Sequence, residues 1–325
     1  MESIDYSVVI RTIGKAGNRY QQLLNSIQNL KPAPREVIVV LPEGFDLPPE
    51  KLGYEVFSFS PKGMVSQRMA GINLCQSPYA LVCDDDVCFG PDFVQKLYVP
   101  IKQGLGLFSA GPLYSFLPAG KVHIMSDAVM GRAAPTVFHR DRYVSVLNTT
   151  GYSYNRHLKA DKKYYESQSL AGTCFFADVK AMKEVDLSAE IWIDKNGYSA
   201  MEDQVLFYKA WLRGKKAIVV EDAFYEHLDA KTSIQNNKPS FIYSLRFNRA
   251  VFWKRFIYEQ KKSLQGRIWA KLCFEYRLFW EKIYERVSVS RGRMTKEDGK
   301  IARQGWKDAF RYFESKEYSC LPPVC

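Results

Sequence analysis

Residues 36–41, Glu-Val-Ile-Val-Val-Leu, are apolar at every position after the first. A strand with one wet face alternates apolar and polar side chains. An unbroken apolar run is instead what parallel strands covered on both faces carry. This run sits in a regular alternation. Tyr6–Thr12 reads as a strand, and residues 18–30 as a helix with Tyr20, Leu23, Leu24, Ile27 and Leu30 at helical spacing, stopped by Pro32 and Pro34. Tyr54–Phe59 is a third strand, residues 65–75 a helix with Val65, Met69 and Ile72 on one face, and Tyr79–Cys83 a buried strand. Strands alternating with helices predict an α/β fold with a mostly parallel sheet flanked by helices, and ligands in such sheets bind at the carboxyl ends of the strands.

Thr12, Glu43 and the triplet Asp84-Asp85-Asp86 all fall at such ends. Three neighbouring carboxylates repel one another and raise each other's pKa unless a cation neutralises them. A divalent metal carried by a phosphorylated ligand suits them; an acidic turn in water is the plainer alternative. The usual phosphate loops do not fit. Gly14-Lys15 lacks the upstream glycine of a P-loop, and Gly104, Gly106 and Gly111 miss the dinucleotide spacing.

Beyond residue 108 the pattern is irregular up to about residue 170, with prolines at 112, 118 and 135. An acceptor-binding insertion and a surface excursion fit equally well there. His123, His139 and His157 lie in it without partner spacing and receive no role. Ala171–Ala177 is a core strand, residues 202–212 a helix with Glu202 and Asp203 in its first turn, and residues 216–220 a further strand followed by His227. Acidic residues in a first helical turn also have a purely structural use, complementing the helix dipole.

Three stretches, taken together, resemble inverting glycosyltransferases of the GT-A fold, family 2 type. They are SVVIRT…NRYQQLLNSIQNL…REVIVV, QRMAGINLCQSPYALVCDDD and MEDQVLFYKAWLRGKKAIVVEDAFYEH, in the family's order and spacing over roughly residues 5–250. The resemblance implies that Asp86 and His227 coordinate a Mg²⁺ or Mn²⁺ on a nucleotide-sugar diphosphate, with Asp84 or Asp85 on the donor ribose. It also implies that Asp203 is the general base, beside Glu202, and that Arg11, Thr12, Glu43 and Arg68 line the nucleotide pocket. The sequence departs from the family where Leu41-Pro42-Glu43-Gly44 replaces the common Asp-Asp-Gly-Ser, leaving Glu43 as the candidate acidic group, and where Arg11-Thr12 and Arg68-Met69 replace Pro-Thr and Arg-Asn. The organisation expected is a catalytic domain over residues 1–238, its donor half 1–100 and its acceptor half 101–238, with a helical C-terminal extension over 239–325.

Charge sets that extension apart. Residues 239–325 hold 19 Lys/Arg against 9 Asp/Glu, nearly the whole of the chain's net +11. Helices are predicted over about 240–258, 264–287 and 296–313. The second places Leu264, Ile268, Leu272, Phe279 and Ile283 on one face, widened by Trp269, Phe274, Leu278 and Trp280. Basic amphipathic helices of this kind pack on a neighbouring domain or lie at an anionic membrane surface. The combined expectation is packing, with the excess charge drawing the protein to anionic lipid.

No run of eighteen apolar residues occurs, and no basic region followed by an apolar stretch and cleavage site opens the chain. Seven scattered cysteines form no C-x-x-C pair, so neither a disulfide scaffold nor a zinc site is expected. The reading is a cytoplasmic enzyme, peripheral at the inner face of the membrane, acting on a glycan or lipid-linked acceptor in surface polysaccharide synthesis, with no nucleic-acid partner. Two rivals stay open: a sugar nucleotidyltransferase, and a nucleic-acid- or lipid-binding protein that acts through its basic tail.

Overall fold

The computed structural model describes residues 3–112, 142–155, 162–230 and 238–325. Its centre is a sheet of eight strands in the order β3-β2-β1-β4-β10-β6-β11-β9. Strands β1 (Tyr6–Arg11), β2 (Glu36–Pro42), β3 (Val56–Ser60) and β4 (Tyr79–Asp84) run parallel, as the alternation predicts. The other half is mixed. β10 (Cys174–Asp178) is antiparallel to both β4 and β6 (Phe108–Ala110), β11 (Ala217–Val220) is parallel to β6, and β9 (Tyr164–Ser167) closes the edge antiparallel to β11. The short strands β7 (Val144–Val146) and β8 (Ser153–Asn155) pair separately. His123, His139 and His157 fall outside the described residues.

The unbroken apolar runs follow from burial on both faces. Val37, Val39 and Leu41 enter one apolar cluster with Val8, Ile10, Leu81 and Cys83; Ile38 and Val40 enter the other with Val9 and Val82. Helix α1 (Asn18–Gln28) and helix α3 (Phe93–Lys102), the latter without a counterpart in the sequence reading, contribute Leu23, Leu24, Val94 and Leu97 to the first cluster. Helix α2 (Met64–Leu74) covers the second with Val65, Met69 and Ile72. It lies so close to the sheet that a Cβ at Gly71 would meet Val9 Cγ1 at 2.3 Å, a separation only glycine avoids.

After α4 (Val179–Val185) and a 3₁₀ segment over Leu187–Asn196, helix α5 (Glu202–Leu212) leads into β11. The C-terminal region forms α6 (Lys238–Phe252), a π-turn extension over Trp253–Tyr258, α7 (Leu264–Ser290), α8 (Lys296–Tyr312) and the short α9 (Lys316–Ser319). It packs on the sheet domain. Phe247, Phe252, Trp253, Phe256, Phe274, Leu278 and Trp306 belong to the same apolar cluster as Val9 and Phe175. A buried ionic group joins the two regions: Glu190 accepts from Lys209 Nζ (2.8 Å) and from Arg255 Nε and Nη2 (2.7 and 2.9 Å).

Helix α7 packs through a different face from the one its apolar residues suggest. Ala270, Phe274, Arg277 and Leu278 are buried, whereas Leu264, Ile268, Trp269, Leu272 and Phe279 are exposed. Helical periodicity marks an apolar stripe but not which neighbour covers it, and the buried Arg277 stacks on Tyr152 instead. No helix among the described residues is long and apolar enough to cross a membrane.

Candidate active site

The parallel register of β1 and β4 pairs Arg11 directly with Asp84 at the carboxyl ends of both strands. The Arg11 guanidinium takes both Asp84 oxygens, through Nε and through Nη2 at 3.1 Å, and its Nη1 lies 3.7 Å from Glu202 Oε2. Glu202 in turn faces Arg68 of α2, whose Nε and Nη2 lie 2.8 and 2.9 Å from its oxygens. Arg68 also donates to Gly172 O at 3.1 Å and stacks over Phe175. Asp84, Arg11, Glu202 and Arg68 therefore form one chain of alternating charges across β4, β1, α5 and α2. Arg68 is fully buried and Glu202 nearly so. The sequence reading turns both toward a ligand; the structure engages them with each other, because buried charges are tolerated only when paired.

Thr12 donates its hydroxyl to Asp85 while accepting from the backbone N–H of Gly14 at 2.8 Å. Asp85 is pushed up to about 7 by burial, against the hydrogen bond from Thr12 and with Asp86 and Asp84 adding to the rise. Asp86 stands apart from its neighbours. A short antiparallel ribbon, β5 (Val87–Phe89) with β12 (Tyr225–His227), sets His227 opposite Val87. His227 Nε2 then lies 3.2 Å from Asp86 Oδ1, while Asp86 Oδ2 accepts from Ala230 N–H at 2.8 Å. Burial works against the Asp86 charge, but these hydrogen bonds outweigh it and hold its pKa below the usual carboxylate range; the same contact raises His227.

Asp86 and His227 are the pair suited to a divalent cation. Two adjacent ligands of an octahedral ion, each at about 2.1 Å, lie roughly 3 Å apart, which is the separation this oxygen and nitrogen have. No group of three His, Cys, Asp or Glu side chains that could hold a metal ion occurs among the described residues. The surrounding charge agrees. Five carboxyl groups, Asp84, Asp85, Asp86, Glu202 and Asp203, gather near two guanidiniums, Arg11 and the fully buried Arg68, and a cation would offset the charge of those that are ionised.

Asp203 lines a cavity of about 200 Å³ together with Gly111, Ser153, Ser169, Ala171 and Gln204. Its pKa is raised, chiefly by burial, with the Gln204 backbone N–H at 2.7 Å and the two arginines opposing the rise. Two features that aim it were not read from sequence. Met201, just before the helix, takes a left-handed conformation (φ 67°), which for a residue with a Cβ is uncommon and concentrates at functional sites. Gly172 lets Asp203 approach: a Cβ there would stand 3.0 Å from Asp203 Cβ and 3.3 Å from Arg68 Nη2. The glycine is visible in Ala171-Gly172-Thr173, whereas nothing in the sequence marks Met201. Glu43 follows the last residue of β2 and is exposed; it makes no hydrogen bond to any other described residue of the site.

Residues 46–186 match the model of glycosyl transferase family 2. Among solved structures, Staphylococcus aureus TarS 1–349 in complex with UDP-GlcNAc is similar with a TM-score of 0.50 and 14% identity, over 98% of this chain and 82% of that one. GalNAc-T7 with UDP, GalNAc and Mn²⁺ is similar with a TM-score of 0.50 and 14% identity, over 88% of this chain and 57% of that one. No curated protein sequence matches the chain.

The fold is of the GT-A type, shared with glycosyltransferases of known structure. Within it, residues 46–186 carry the match to glycosyl transferase family 2. The matched segment includes Arg68 and the three aspartates; Arg11, Glu202, Asp203 and His227 lie outside it and join it through the tertiary contacts above.

Proposed function

We propose that the chain transfers a sugar from a nucleotide-sugar donor to a hydroxyl of a glycan or lipid-linked acceptor, with inversion at the anomeric carbon, in cell-surface polysaccharide synthesis. The observation that carries this is the double engagement of Arg11. One guanidinium holds Asp84 of the acidic triplet and Glu202 beside Asp203, so a candidate donor end and a candidate base share one edge of the sheet. That similar folds are solved with UDP-GlcNAc, and with UDP, GalNAc and Mn²⁺, supports a nucleotide-linked donor and a divalent ion.

In this reading Asp203 accepts the proton of the acceptor hydroxyl as the new bond forms, a task for a carboxylate with a raised pKa in a walled cavity. Asp86 and His227 would hold Mg²⁺ or Mn²⁺, which when bound offsets the charge on the departing diphosphate. Asp84 and Asp85 meet the donor ribose side. Arg11 and Thr12 act by holding these two aspartates in place, and Arg68 acts through Glu202. Glu43, exposed at the same sheet edge, meets the nucleotide. Residues 1–238 form the catalytic body, with its donor half over 1–100 and its acceptor half over 101–238. Residues 239–325 form the appendage that meets an anionic membrane surface on the cytoplasmic side.

A donor screen tests the reading. Thermal stabilisation by UDP-, GDP- and dTDP-sugars, measured with and without Mn²⁺, is expected for one nucleotide class and to be larger with the ion. Release of the nucleoside diphosphate during turnover is the expected chemistry. Pyrophosphate release would replace it with nucleotidyl transfer, and retained biological activity in Asp203→Asn would replace it with a binding role for the tail.

A further inference from the structure

Helices α7 and α8 enclose a groove of about 270 Å³, remote in sequence from every residue of the catalytic site. Its walls carry four cations in two facing pairs. Lys282 and Arg286 stand one turn apart on α7, and Arg303 and Lys307 one turn apart on α8. None of the four forms an ion pair with a described residue. The one carboxylate in the lining, Glu285, has Oε1 taken by Arg246 at 3.0 Å, while its buried Oε2 has no hydrogen-bond partner among the described residues. At the floor Trp306 is 3% exposed and its indole N–H has no acceptor. Four exposed cations against one carboxylate leave the groove with an excess of positive charge, and a buried N–H without an acceptor is unfavourable. An oxyanion relieves both.

The groove continues an apolar surface on the same helix. Ile268, Leu272, Glu275, Phe279, Lys282 and Arg286 are spaced alternately by four and three residues, so they lie along one line of α7. Ile268, Leu272 and Phe279 on that line are each more than half exposed, and Leu264 and Trp269 extend the surface on either side. Phosphate-binding cations at one end of a line of exposed aliphatic and aromatic side chains match a ligand with an anionic head and an apolar body.

We propose that this groove binds the phosphate of an anionic lipid headgroup, while the apolar line of α7 enters the lipid interface beside it. A nucleic acid would use the cations but leave Leu264, Ile268 and Leu272 without a partner. A second copy docked stripe to stripe would bring Arg267, Lys271, Lys282 and Arg286 of both chains together against a single exposed acid per chain, Glu275. The proposal rests on the membrane-surface reading of residues 239–325, and not on the sugar-transfer reading.

The test is co-sedimentation of the full-length protein with vesicles of phosphatidylglycerol and phosphatidylcholine, against phosphatidylcholine alone. The groove variant is Lys282→Gln, Arg286→Gln, Arg303→Gln and Lys307→Gln together. A control of equal charge is Lys31→Gln, Lys51→Gln, Lys180→Gln and Lys183→Gln. The native chain is expected to bind the anionic vesicles, the groove variant to lose on the order of 100-fold in partitioning, and the control far less. A second variant, Ile268→Ser, Leu272→Ser and Phe279→Ser, is expected to bind weakly with its four cations intact. Equal binding by the groove variant and the control overturns the groove while leaving membrane attachment in place. Absence of vesicle binding by the native chain overturns both, and binding of inorganic phosphate or an RNA oligomer without vesicles assigns the groove to a soluble anion or to nucleic acid. Turnover of a soluble donor, unchanged in the groove variant, keeps these outcomes separate from the sugar-transfer reading.

Discussion

Arg11 and Asp84 stand opposite each other on adjacent parallel strands, and the guanidinium of one takes both carboxylate oxygens of the other. The pairing is set by register rather than by loop geometry, so the β-sheet itself positions the acidic triplet. Because the same guanidinium reaches Glu202, the position of α5 depends on it as well.

Replacing Arg11 by Ala leaves Asp84 with neither of its charged hydrogen bonds and removes one of the two arginines from Glu202. Breaking a mostly buried pair from one side costs about 3 kcal/mol. Equilibrium denaturation should show that loss, and kcat should fall as well. Arg11→Lys restores one contact to Asp84 and is expected to recover stability more than activity, since an ammonium cannot span both partners.

Asp203→Asn should reduce kcat by about 10²–10⁴-fold, the usual contribution of a general base. Stability should move the other way. A carboxyl whose folded pKa is raised binds protons more readily folded than unfolded, so its ionisation destabilises as pH rises from the unfolded value, about 3.9, through the folded one. The Asn variant is therefore more stable than the native chain at pH 7 and loses that advantage below about pH 4. The native kcat/KM should fall on acidification with a midpoint above the ordinary aspartate range. An acid limb left unchanged in the variant's residual activity would remove Asp203 from the role.

Asp86→Ala and His227→Ala should each weaken activation by Mn²⁺ at least about 10-fold, since losing even an outer-shell partner of a metal ligand costs about 10–100-fold. Activity titrated against Mn²⁺ after chelation reads this directly. Asp85→Ala, one residue away, should shift that titration far less, because Asp85 is bonded to Thr12 whereas His227 is bonded to Asp86.

Glu190→Ala should be the most damaging substitution outside the site. It leaves Lys209 and Arg255 buried without their shared carboxylate, a loss of about 3–5 kcal/mol. Since Arg255 follows α6 and Lys209 lies in α5, hydrogen exchange should show loosening at the junction of the sheet domain with the C-terminal helices.

Local pattern was enough for the first half of the fold. Strands covered on both faces declare themselves by unbroken apolar runs, and the helix over 202–212 by its periodicity and the glycine that stops it. Strands β6 to β9 are three or four residues long, too short for a period to register, whereas β10 showed itself by its apolar run; α3 carries an internal proline that breaks its pattern. In the site, residue type alone marked the aspartates and His227 as candidates. Type could not separate Glu202 from Asp203, adjacent carboxylates in one helical turn. Successive helical positions point about 100° apart, and the fold turns one toward two arginines and the other into a cavity.

The acidic triplet illustrates the division most closely. By itself the sequence determined that three carboxylates end a buried strand, and hence that their mutual repulsion must be relieved. Only the tertiary structure decided which partner each one meets: Arg11 for Asp84, the neutral Thr12 hydroxyl for Asp85, and His227 for Asp86. Those partners lie 73 residues away for the first two and 141 for the third, brought in by sheet register and by a short antiparallel ribbon. Such distances are closed by the burial of the whole core, so no local stretch of sequence carries the information.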